Sequence, residues 1–393
     1  MAKICFVTSS VFTIGGEQRV TVVLANELAK KHDIVIYTQD TDTEKVKNPY
    51  HLSEKIKTRQ TMQPEYGVMN RILRRIIREI NEHSKALYQK KSLYPILEYA
   101  YFQKDWQRQL VAEMKKESYD MIVAVSGGNT MRIGLIADQL DCITVGWEHN
   151  TYEAYFETPK IYFWRMDQLF SRAIHKLDEC VVLNESICQK YKEAFDVDCK
   201  IIYNPRSFTS EEKSKLQNKT FVTCGRMIYQ KGYDLLIESF KIFAELEKEW
   251  RLVIVGDGEM RAQIEERIRT YHLENRISIT GYQNDVMPYL LDASVYLMPS
   301  RWEGFPMVLT EAFEMGLPVV TYDITAVEPL VEDGKEGFVA SSFDTADYAR
   351  KMLKITELTQ DERRKLAEAA INKAQSLAVE NIVLKWEKLL GVR

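Results

Sequence analysis

The segment SVYLMPSRWEGFPMVLTEAFEMG, Ser294 to Gly316, decides the fold class. Its first five residues form an apolar run that predicts a buried strand, and Pro306 suits the first position of a helix, where an N–H is not needed. Glu303 then falls in the loop between strand and helix, and Glu311 inside the helix. The amides of residues 307–309 would lack carbonyl partners, so this end can hold an anion. The structural alternative is that Glu303 is an acid favoured at a helix start by the macrodipole and that Glu311 is a solvated surface residue.

The same alternation of strand and helix extends along the whole chain. Apolar strand-like runs are KICFVT, DIVIYT, YDMIVAV, CITVGW, ECVVL and KIIYN, followed by TFVTCG, RLVIVG, RISITG and LPVVTY. Continuous apolar strands between helices predict parallel sheets covered on both faces. A polar segment from Asn204 to Lys219 separates the two series. We therefore predict an α/β chain of two doubly wound, Rossmann-like domains, residues 1–204 and 205–376, facing each other across a cleft.

Composition narrows the class of protein. The 393 residues are 45% hydrophobic and 28% charged with a net charge of −4, which is typical of a soluble protein and does not indicate a nucleic-acid partner. The six cysteines form no C-x-x-C pair and predict reduced core residues. No apolar run approaches the roughly 18 residues of a membrane span, and the N-terminal run is too short for a signal peptide. We expect a cytoplasmic protein.

Residues 69–109 interrupt the first series with a basic amphipathic helix. On a helical wheel one side carries Arg71, Arg74, Arg75 and Arg78, and the opposite side carries Ile72, Leu73, Ile76, Ile77 and Ile80. One interpretation is that the apolar side packs on its own domain and the arginines are solvated. The other is docking on an anionic membrane, peripherally on the inner face of the plasma membrane. Lys85, Lys90, Lys91 and the aromatic run LEYAYFQKDW would assist such docking.

Glycines mark loops where a ligand can approach the backbone. Gly15 and Gly16 stand where the first strand gives way to a helix, a position that favours a phosphate or a sugar hydroxyl. Gly256 and Gly258 open a similar turn in the second series, although a structural turn explains them nearly as well. The dinucleotide and P-loop fingerprints are absent from the glycine-rich loop near the N-terminus, which counts against an NAD oxidoreductase and a P-loop NTPase.

Two cations and one histidine are candidates for chemistry. Arg226 and Lys231 share one predicted loop after a strand and could hold a diphosphate, Arg as a planar fork and Lys as a point charge; a solvated pair is the alternative. His149 follows a strand and could donate to a sugar hydroxyl, or be a satisfied loop histidine. Because no second histidine or cysteine stands at ligand spacing, we expect no metal site.

Two Asp-x-Asp triplets are interpreted as loop acids. Asp40 and Asp42 follow a predicted strand, and Asp196 and Asp198 follow a predicted helix. Neither triplet has a phosphate-binding pattern beside it, so the sequence assigns them no role in the chemistry.

Together these motifs resemble the retaining glycosyltransferases of family 4, which have the GT-B fold. The resemblance covers nearly the whole chain and is carried by GGEQRV, EHN, IIYNP, CGRMIYQKGYDLLIESF, VGDGEMR and PSRWEGFPMVLTEAFEMGLPVV, the last with the Glu-x7-Glu spacing of that family. It implies that the C-terminal helix, residues 377–393, packs back on the first domain. GGEQRV departs from the pattern in which alanine and glutamate often follow the glycines, which should affect acceptor-side contacts.

The resemblance also implies roles at matching positions. Arg226 and Lys231 would bind the donor diphosphate, Glu311 the ribose hydroxyls and Glu303 the donor sugar. His149 would contact the sugar near its reacting carbon, and Gly16 the phosphate. The expected donor site further includes Gly15, Gly256, Gly281, Tyr282, Phe305, Pro306, Met307, Val308 and Leu309.

The expected activity is metal-independent, retaining transfer of a hexose or N-acetylhexosamine. The donor would be a nucleotide sugar, UDP-linked by preference, and no further cofactor is expected. The acceptor would be a hydroxyl of a glycan or lipid-linked oligosaccharide, giving an α-glycoside in bacterial surface polysaccharide synthesis. Alternatives are a non-catalytic nucleotide-sugar-binding partner, a nucleotide-sugar epimerase or phosphatase, and a glycoside hydrolase. The Arg/Lys loop argues against the hydrolase, which has no diphosphate to neutralise.

Overall fold

The chain divides into two compact α/β units. A computed structural model describes residues 1–41, 44, 47–61, 66–84, 87, 89–159 and 162–391. Unit 1 comprises Met1–Pro205 and Val379–Arg393, and unit 2 comprises Arg206–Ala378. Each is built on a parallel sheet, as the apolar strand pattern predicted.

Unit 1 has a seven-stranded sheet. Its strands are β1 (Lys3–Val7), β2 (Asp33–Thr38), β3 (Lys57–Gln60), β4 (Met121–Val125), β5 (Ile143–Trp147), β6 (Glu179–Val182) and β7 (Lys200–Ile201). They lie in the order β3-β2-β1-β4-β5-β6-β7, with every pair parallel. The sequence analysis missed β3, because this edge strand reads KTRQ and has no apolar run.

Helices connect the strands of unit 1. They are α1 (Gly16–Leu28), α2 (Val68–His83), α3 (Tyr94–Tyr101), α4 (Lys104–Met114), α5 (Gly127–Gly134), α6 (Asp167–Ile174) and α7 (Glu185–Phe195). Asn184 caps α7 by accepting a hydrogen bond from the amide of Ile187 at 2.8 Å, which satisfies one of the free amides of that helix start.

Helix α2 presents Arg74 and Arg78 to the protein, leaves Arg71 and Arg75 exposed, and turns most of its apolar side to solvent. Arg74 is buried and donates to the carbonyls of Ala100 at 2.9 Å and Tyr101 at 3.3 Å; Arg78 donates to Ala100 as well. Ile77 is buried, but the other four residues of the predicted apolar side, Ile72, Leu73, Ile76 and Ile80, are exposed. The interpretation with a packed apolar side and solvated arginines was therefore wrong for most of the apolar side and for Arg74 and Arg78, whose guanidinium groups supply donors to the C-terminal carbonyls of α3. The other two arginines are exposed, as that interpretation expected. Lys85 lies outside the described residues.

Unit 2 has a six-stranded sheet. Its strands are β8 (Thr220–Cys224), β9 (Arg251–Val255), β10 (Ile277–Gly281), β11 (Val295–Met298), β12 (Val319–Tyr322) and β13 (Gly337–Ala340). They lie in the order β10-β9-β8-β11-β12-β13, all parallel, which is the 3-2-1-4-5-6 order of dinucleotide-binding sheets. Strand β13 was not predicted, since only four residues form it and the first is glycine.

The helices of unit 2 follow the strands. They are α8 (Tyr233–Leu246), α9 (Arg261–Thr270), α10 (Met287–Asp292), α11 (Met307–Glu314), α12 (Thr345–Glu357) and α13 (Gln360–Ser376). Pro306 is the residue that caps α11 rather than its first helical residue, so the helix begins one position later than predicted. Thr359 and Glu362 form a reciprocal capping box at the start of α13.

The C-terminal helix α14 (Val379–Leu389) belongs to unit 1 and packs on α1. Trp386 is fully buried and meets the ring of Trp147 edge-on, with 4.9 Å between ring centroids. Glu387 accepts hydrogen bonds from Lys31 and pairs with the ring of His32, both at 3.2 Å. These contacts fix the last described helix to the sheet of unit 1.

The remaining sequence expectations concern cysteines and membrane spans. All six cysteines are free thiols, four of them buried. Among the described residues, no helix combines the length and apolar character needed to cross a membrane.

Candidate functional site

The strand order of unit 2 places its binding edge between β8 and β11. A ligand of a doubly wound sheet binds beyond the carboxyl ends of the strands, where the strand order reverses. The loops that leave β8 and β11 at this switch point comprise residues 225–232 and 299–306. These two loops carry Arg226, Lys231 and Glu303.

Three glycines allow these loops and the loop after β9 to touch backbone to backbone. A Cβ on Gly232, whose φ is +64°, would lie 2.0 Å from the carbonyl oxygen of Pro299. A Cβ on Gly256 would lie 1.9 Å from that of Gly225, and one on Gly258 2.5 Å from that of Met227. Only glycine fits such contacts. The sequence suggested a ligand role or a turn for Gly256 and Gly258, and the structure places them against another loop.

A partly buried ion pair braces the same loops. Arg301 donates in bidentate fashion to both carboxylate oxygens of Asp234, at 2.8 and 2.7 Å. Its guanidinium also lies 3.9 Å from the centre of the Tyr229 ring and donates to the Tyr229 carbonyl. The sequence analysis missed this pair because 67 residues separate its members. The available signal was that Arg301 stands in the predicted loop before α11 and Asp234 in the first turn of the helix that follows the Arg226–Lys231 loop.

Lys231 and Glu303 meet directly at the switch point. The Lys231 ammonium lies 2.7 Å from Oε1 of Glu303, and the hydroxyl of Ser300 donates to the same oxygen at 2.7 Å. Glu303 is 8% exposed in its side chain and Lys231 20%. Since lysine has three N–H donors, the contact leaves it able to bind an added anion. The structure thus brings together a cation and an acid that the sequence placed 72 residues apart.

Arg226 is exposed at the same edge. Its guanidinium makes no hydrogen bond or ion pair with any residue that the structure describes. At the start of α11, the Leu309 amide donates to the carbonyl of Pro306 at 3.0 Å, so the prediction of a free amide there was wrong. The amides of Met307 and Val308 find no acceptor among the described residues. One unpaired guanidinium and two unpaired amides at this edge therefore favour binding of an anion there.

Glu311 is buried within α11 rather than solvated. Its carboxylate accepts a hydrogen bond from the Ser207 hydroxyl at 3.0 Å, and its charge, together with burial, raises the pKa of the Cys224 thiol at the end of β8. One turn further on, Glu314 pairs with Arg206 at 2.5 Å and Lys213 at 2.6 Å. Glu314 therefore anchors the segment leading into unit 2, a structural role that the sequence analysis did not assign.

The other predicted donor-site residues divide between surface and core. Gly281, with φ of +76°, ends β10 and bridges to Gly256, and Tyr282 beside it is 56% exposed. Phe305 and Leu309 are buried. Tyr282 is thus accessible to a ligand, whereas the two buried residues support the backbone around the start of α11.

Unit 1 has its own switch point, between β1 and β4. Gly15 precedes α1 in an extended conformation and its amide donates to the hydroxyl of Tyr50 at 2.8 Å, while Gly16 is the first residue of α1. Glu17 accepts a hydrogen bond from Ser126, the residue after β4. Burial raises the pKa of Glu17, and the Ser126 hydrogen bond opposes this shift. The sequence analysis missed this contact.

Asp40 holds the loop between β1 and α1. Its carboxylate accepts hydrogen bonds from Ser10 at 2.5 Å, from the amide of Val11 at 2.8 Å and from Thr38 at 2.6 Å. Asp40 lies in the loop after β2, as interpreted from the sequence, but it is buried and organises the backbone before Gly15. Asp42 lies outside the described residues. Asp196 and Asp198, the other two residues interpreted as loop acids, are exposed and pair with Lys192.

Glu148 and His149 follow β5 and are both buried. Burial raises the pKa of Glu148 to about 8, and its carboxyl is hydrogen-bonded to Thr130. Burial lowers the pKa of His149 to about 3, so its ring is neutral. The ring lies 4.3 Å from that of Trp147, and Nε2 has no partner among the described residues. A neutral imidazole with a free nitrogen can donate to or accept from a hydroxyl.

A metal-ligand set occurs elsewhere in unit 1. Among the described residues, Glu79, Glu82 and His83 bring ligand atoms within 4.8 Å of one another at the end of α2. Glu79 and His83 are exposed, so the group is accessible to solvent. It belongs to neither switch point, and a surface acidic group alone does not indicate a metal centre.

Known proteins resemble this chain in sequence. The family model described as "Glycosyl transferases group 1" matches residues 206–373, within unit 2. The amylovoran biosynthesis glycosyltransferase AmsD of Erwinia amylovora is 30% identical over 248 residues, covering 57% of this chain and 67% of AmsD. The UDP-Gal:alpha-D-GlcNAc-diphosphoundecaprenol alpha-1,3-galactosyltransferase of Escherichia coli is 27% identical over 271 residues, covering 62% and 68%.

A solved structure shares the fold. The crystal structure of HepE from Anabaena, in complex with UDP and glucose, has a TM-score of 0.73 at 16% identity and covers 100% of both chains. At this identity the likeness concerns the fold. Together with the two parallel sheets it confirms the predicted class, an α/β chain of GT-B type with two doubly wound Rossmann-like domains.

Proposed function

The chain belongs to the group 1 glycosyl transferases, and we propose that it moves a hexose or N-acetylhexosamine from a nucleotide sugar to a hydroxyl of a glycan or lipid-linked oligosaccharide. The proposal includes retention of configuration, as in family 4, and an α-glycosidic product in surface polysaccharide synthesis. The observation that carries it is the contact of Lys231 with Glu303 at the switch point of unit 2, in loops that also hold the unpaired Arg226.

The preferred donor is a UDP-sugar. Support comes from the Escherichia coli relative, whose name gives UDP-galactose as donor and a diphosphoundecaprenol-linked sugar as acceptor. The HepE structure holds UDP and glucose, and AmsD is named for the biosynthesis of amylovoran. A UDP-linked donor and a polysaccharide or lipid-linked acceptor are therefore the first substrates to test.

The charges of unit 2 suit the departure of a nucleoside diphosphate. When the bond between sugar and phosphate breaks, its electron pair goes to the phosphate oxygen and the sugar becomes oxocarbenium-like. Arg226 and Lys231, with the amides of Met307 and Val308, would stabilise the developing negative charge in the transition state. Cations of the protein would thus serve the leaving group in place of a metal ion.

Glu303 would act on the sugar. Its carboxylate can accept hydrogen bonds from donor hydroxyls and favour positive charge on the ring without forming a stable covalent bond. The acceptor hydroxyl would attack from the face that the diphosphate leaves, and its proton would pass to the leaving phosphate oxygen. One C–O bond forms and one breaks on the same face, which gives retention.

Two further residues have proposed contacts. Glu311, buried and already hydrogen-bonded to Ser207, would accept hydrogen bonds from the ribose hydroxyls of the donor. His149 would contact the donor sugar near its reacting carbon through a neutral ring, since its pKa of about 3 excludes a charged imidazolium at neutral pH. Membership of the family disfavours the alternatives of a non-catalytic partner, an epimerase or a hydrolase.

Replacement of Glu303 by alanine tests the proposal. We expect Glu303→Ala to lower transfer from UDP-sugars to a lipid-linked acceptor by at least about 10²-fold. UDP binding should survive, because the change removes only the carboxylate that pairs with Lys231 and leaves the Lys231 ammonium available to the diphosphate. The measurements are product formation by mass spectrometry and UDP affinity by calorimetry; wild-type transfer rates in the variant would refute the assignment.

Two controls complete the test. Glu328→Ala, an exposed acid in the same unit, should leave both transfer and UDP binding unchanged. Addition of EDTA to the wild type should leave transfer largely intact, and strict dependence on added Mn²⁺ or Mg²⁺ would contradict the role given to the protein's own cations.

A further inference from the structure

Helix α2 exposes a continuous apolar stripe. Its members are 45–80% exposed and recur at helical spacing: Val68, Met69, Ile72, Leu73, Ile76 and Ile80. Beside it on α3, Ile96 and Tyr99 are 40% and 36% exposed, and the Tyr99 hydroxyl donates to Asn70 of α2 at 2.9 Å. Contiguous apolar surface of this extent marks an interaction site rather than ordinary solvent exposure.

Polar contacts on the side of α2 opposite the stripe fix the orientation of the helix. Arg74 and Arg78 donate hydrogen bonds to the carbonyls at the end of α3. The Asn81 side-chain amide donates to the Arg165 carbonyl, and the Arg165 guanidinium donates to the Asn81 carbonyl, each at 3.1 Å. Arg74 also stacks on Tyr66, 3.7 Å from the ring centre. Since these polar contacts hold the opposite face, α2 cannot bury its apolar stripe in unit 1 without breaking them.

One edge of the stripe has an ordered charge sequence. At about 100° per residue, Arg71, Arg75, Glu79 and Glu82 fall together along this edge. The arginines occupy its N-terminal half and the glutamates its C-terminal half. Arg71 and Arg75 make no side-chain hydrogen bond or ion pair with a described residue. When two copies of this edge run in opposite directions, the arginines of each copy therefore face the glutamates of the other.

We propose that the stripe binds a second copy of this chain, with the two α2 helices antiparallel about a two-fold axis near Ile76. In a two-fold arrangement of antiparallel helices the same edge meets the same edge. Arg71 then faces Glu82 of the partner subunit, and Arg75 faces Glu79 of the partner subunit, each pair occurring twice. Ile72, Ile76 and Ile80 form the apolar seam.

The charge order favours a second copy over a lipid surface. Docking of residues 69–109 on an anionic membrane stays a prediction, but two of the four arginines of α2, Arg74 and Arg78, are engaged with α3. Glu79 and Glu82 would also stand against anionic headgroups. A second copy pairs the two free arginines with both glutamates, and this surface does not depend on the substrate proposed above.

Sedimentation equilibrium of the full chain tests the apolar seam. We expect a wild-type dimer with a dissociation constant in the micromolar range, as for a small interface. Ile76→Asp should raise that constant by about 100-fold or more, because the two-fold axis places two carboxylates together in the seam. Ile76 is half-exposed, so the variant should fold. The matched control is Leu246→Asp, an exposed leucine of unit 2 that should leave dimerisation unchanged.

Charge exchange tests the pairing itself. The variant Arg71→Glu/Arg75→Glu makes the edge wholly acidic, and Glu79→Arg/Glu82→Arg makes it wholly basic. Each alone should be monomeric, and an equimolar mixture should restore a dimer. Monomeric wild type at about 100 µM, or no restoration on mixing, would overturn the proposal. The proposal would also be overturned if the wild type stayed monomeric and co-sedimented with phosphatidylglycerol vesicles, and if the basic variant co-sedimented more strongly than the wild type.

Discussion

The two units share a strand order but differ in the charges at their switch points. In unit 2 the loops after β8 and β11 carry Arg226, Lys231 and Glu303, so that two cations and one acid face the same sheet edge. In unit 1 the first turn of α1, the helix after β1, brings Glu17 to Ser126 in the loop after β4. One fold therefore carries two cations at the switch point of unit 2 and a hydrogen-bonded, partly buried acid at that of unit 1.

The loops of the two switch points are also held differently. In unit 2, Gly232 and Gly256 let backbones touch, and Arg301 with Asp234 braces them. In unit 1 the buried carboxylate of Asp40 holds the loop between β1 and α1 by accepting hydrogen bonds from it. Because topology is common to both, the difference lies in side chains, which is where function resides on a widespread fold.

The largest expected effect comes from removing the cations of unit 2. The double variant Arg226→Gln/Lys231→Met should lower UDP affinity and reduce transfer by on the order of 10³-fold or more, because the departing diphosphate loses two stabilising charges. Calorimetry with UDP and initial transfer rates measure the two effects. The control is Arg251→Gln, an exposed cation at the opposite end of the same sheet.

An unchanged UDP affinity in the double variant would break the comparison. Unit 2 would then resemble unit 1 in lacking an anion site, and the proposed donor would need another position. A loss equal to that of Arg251→Gln would have the same meaning, since it would reflect only the overall charge of the protein.

How much of this site the sequence could predict depends on the range of each contact. Arg226, Lys231 and Glu303 stand next to apolar strands, so local pattern alone placed them at one sheet edge. The hydrogen bond between Glu17 and Ser126 joins residues 109 apart and has no local pattern. Roles in catalysis stay predictions for all the residues named.

Helix α2 also shows what local sequence pattern cannot predict. The helical wheel separated an arginine side from an apolar side, yet it could not tell that the face packed on the protein lies across their border, where Arg74, Ile77 and Asn81 are buried. That choice depends on the carbonyls of Ala100 and Tyr101, which end another helix. Burial of a polar side becomes favourable only when such partners are in place.

A smaller effect should follow from filling the backbone contact of unit 2. Gly232→Ala introduces a Cβ 2.0 Å from the Pro299 carbonyl at a φ of +64°, and should cost about 3 kcal/mol or more of stability. Gly334→Ala is the matched control: its φ is +89° with no atom within 4 Å of the new Cβ, so only the backbone cost of about 1 kcal/mol applies. Urea denaturation measures both. Equal losses would mean that contact between the loops adds nothing.

The smallest effect, taken per pH unit, is a pH dependence of stability that arises in unit 1. Burial raises the pKa of Glu148 from 4.5 to about 8, so between these values the folded chain holds a proton that the unfolded chain has released. Stability from this group therefore falls as pH rises through that window. Glu148→Gln should remove the fall, and its stability relative to wild type should grow by up to about 1.4 kcal/mol per pH unit. Glu157→Gln, at an exposed position, should follow the wild-type profile. Parallel profiles of Glu148→Gln and wild type in urea unfolding from pH 5 to about 8 would mean that Glu148 is ionised in the folded chain, and unit 1 would then carry a buried negative charge where unit 2 gathers positive ones.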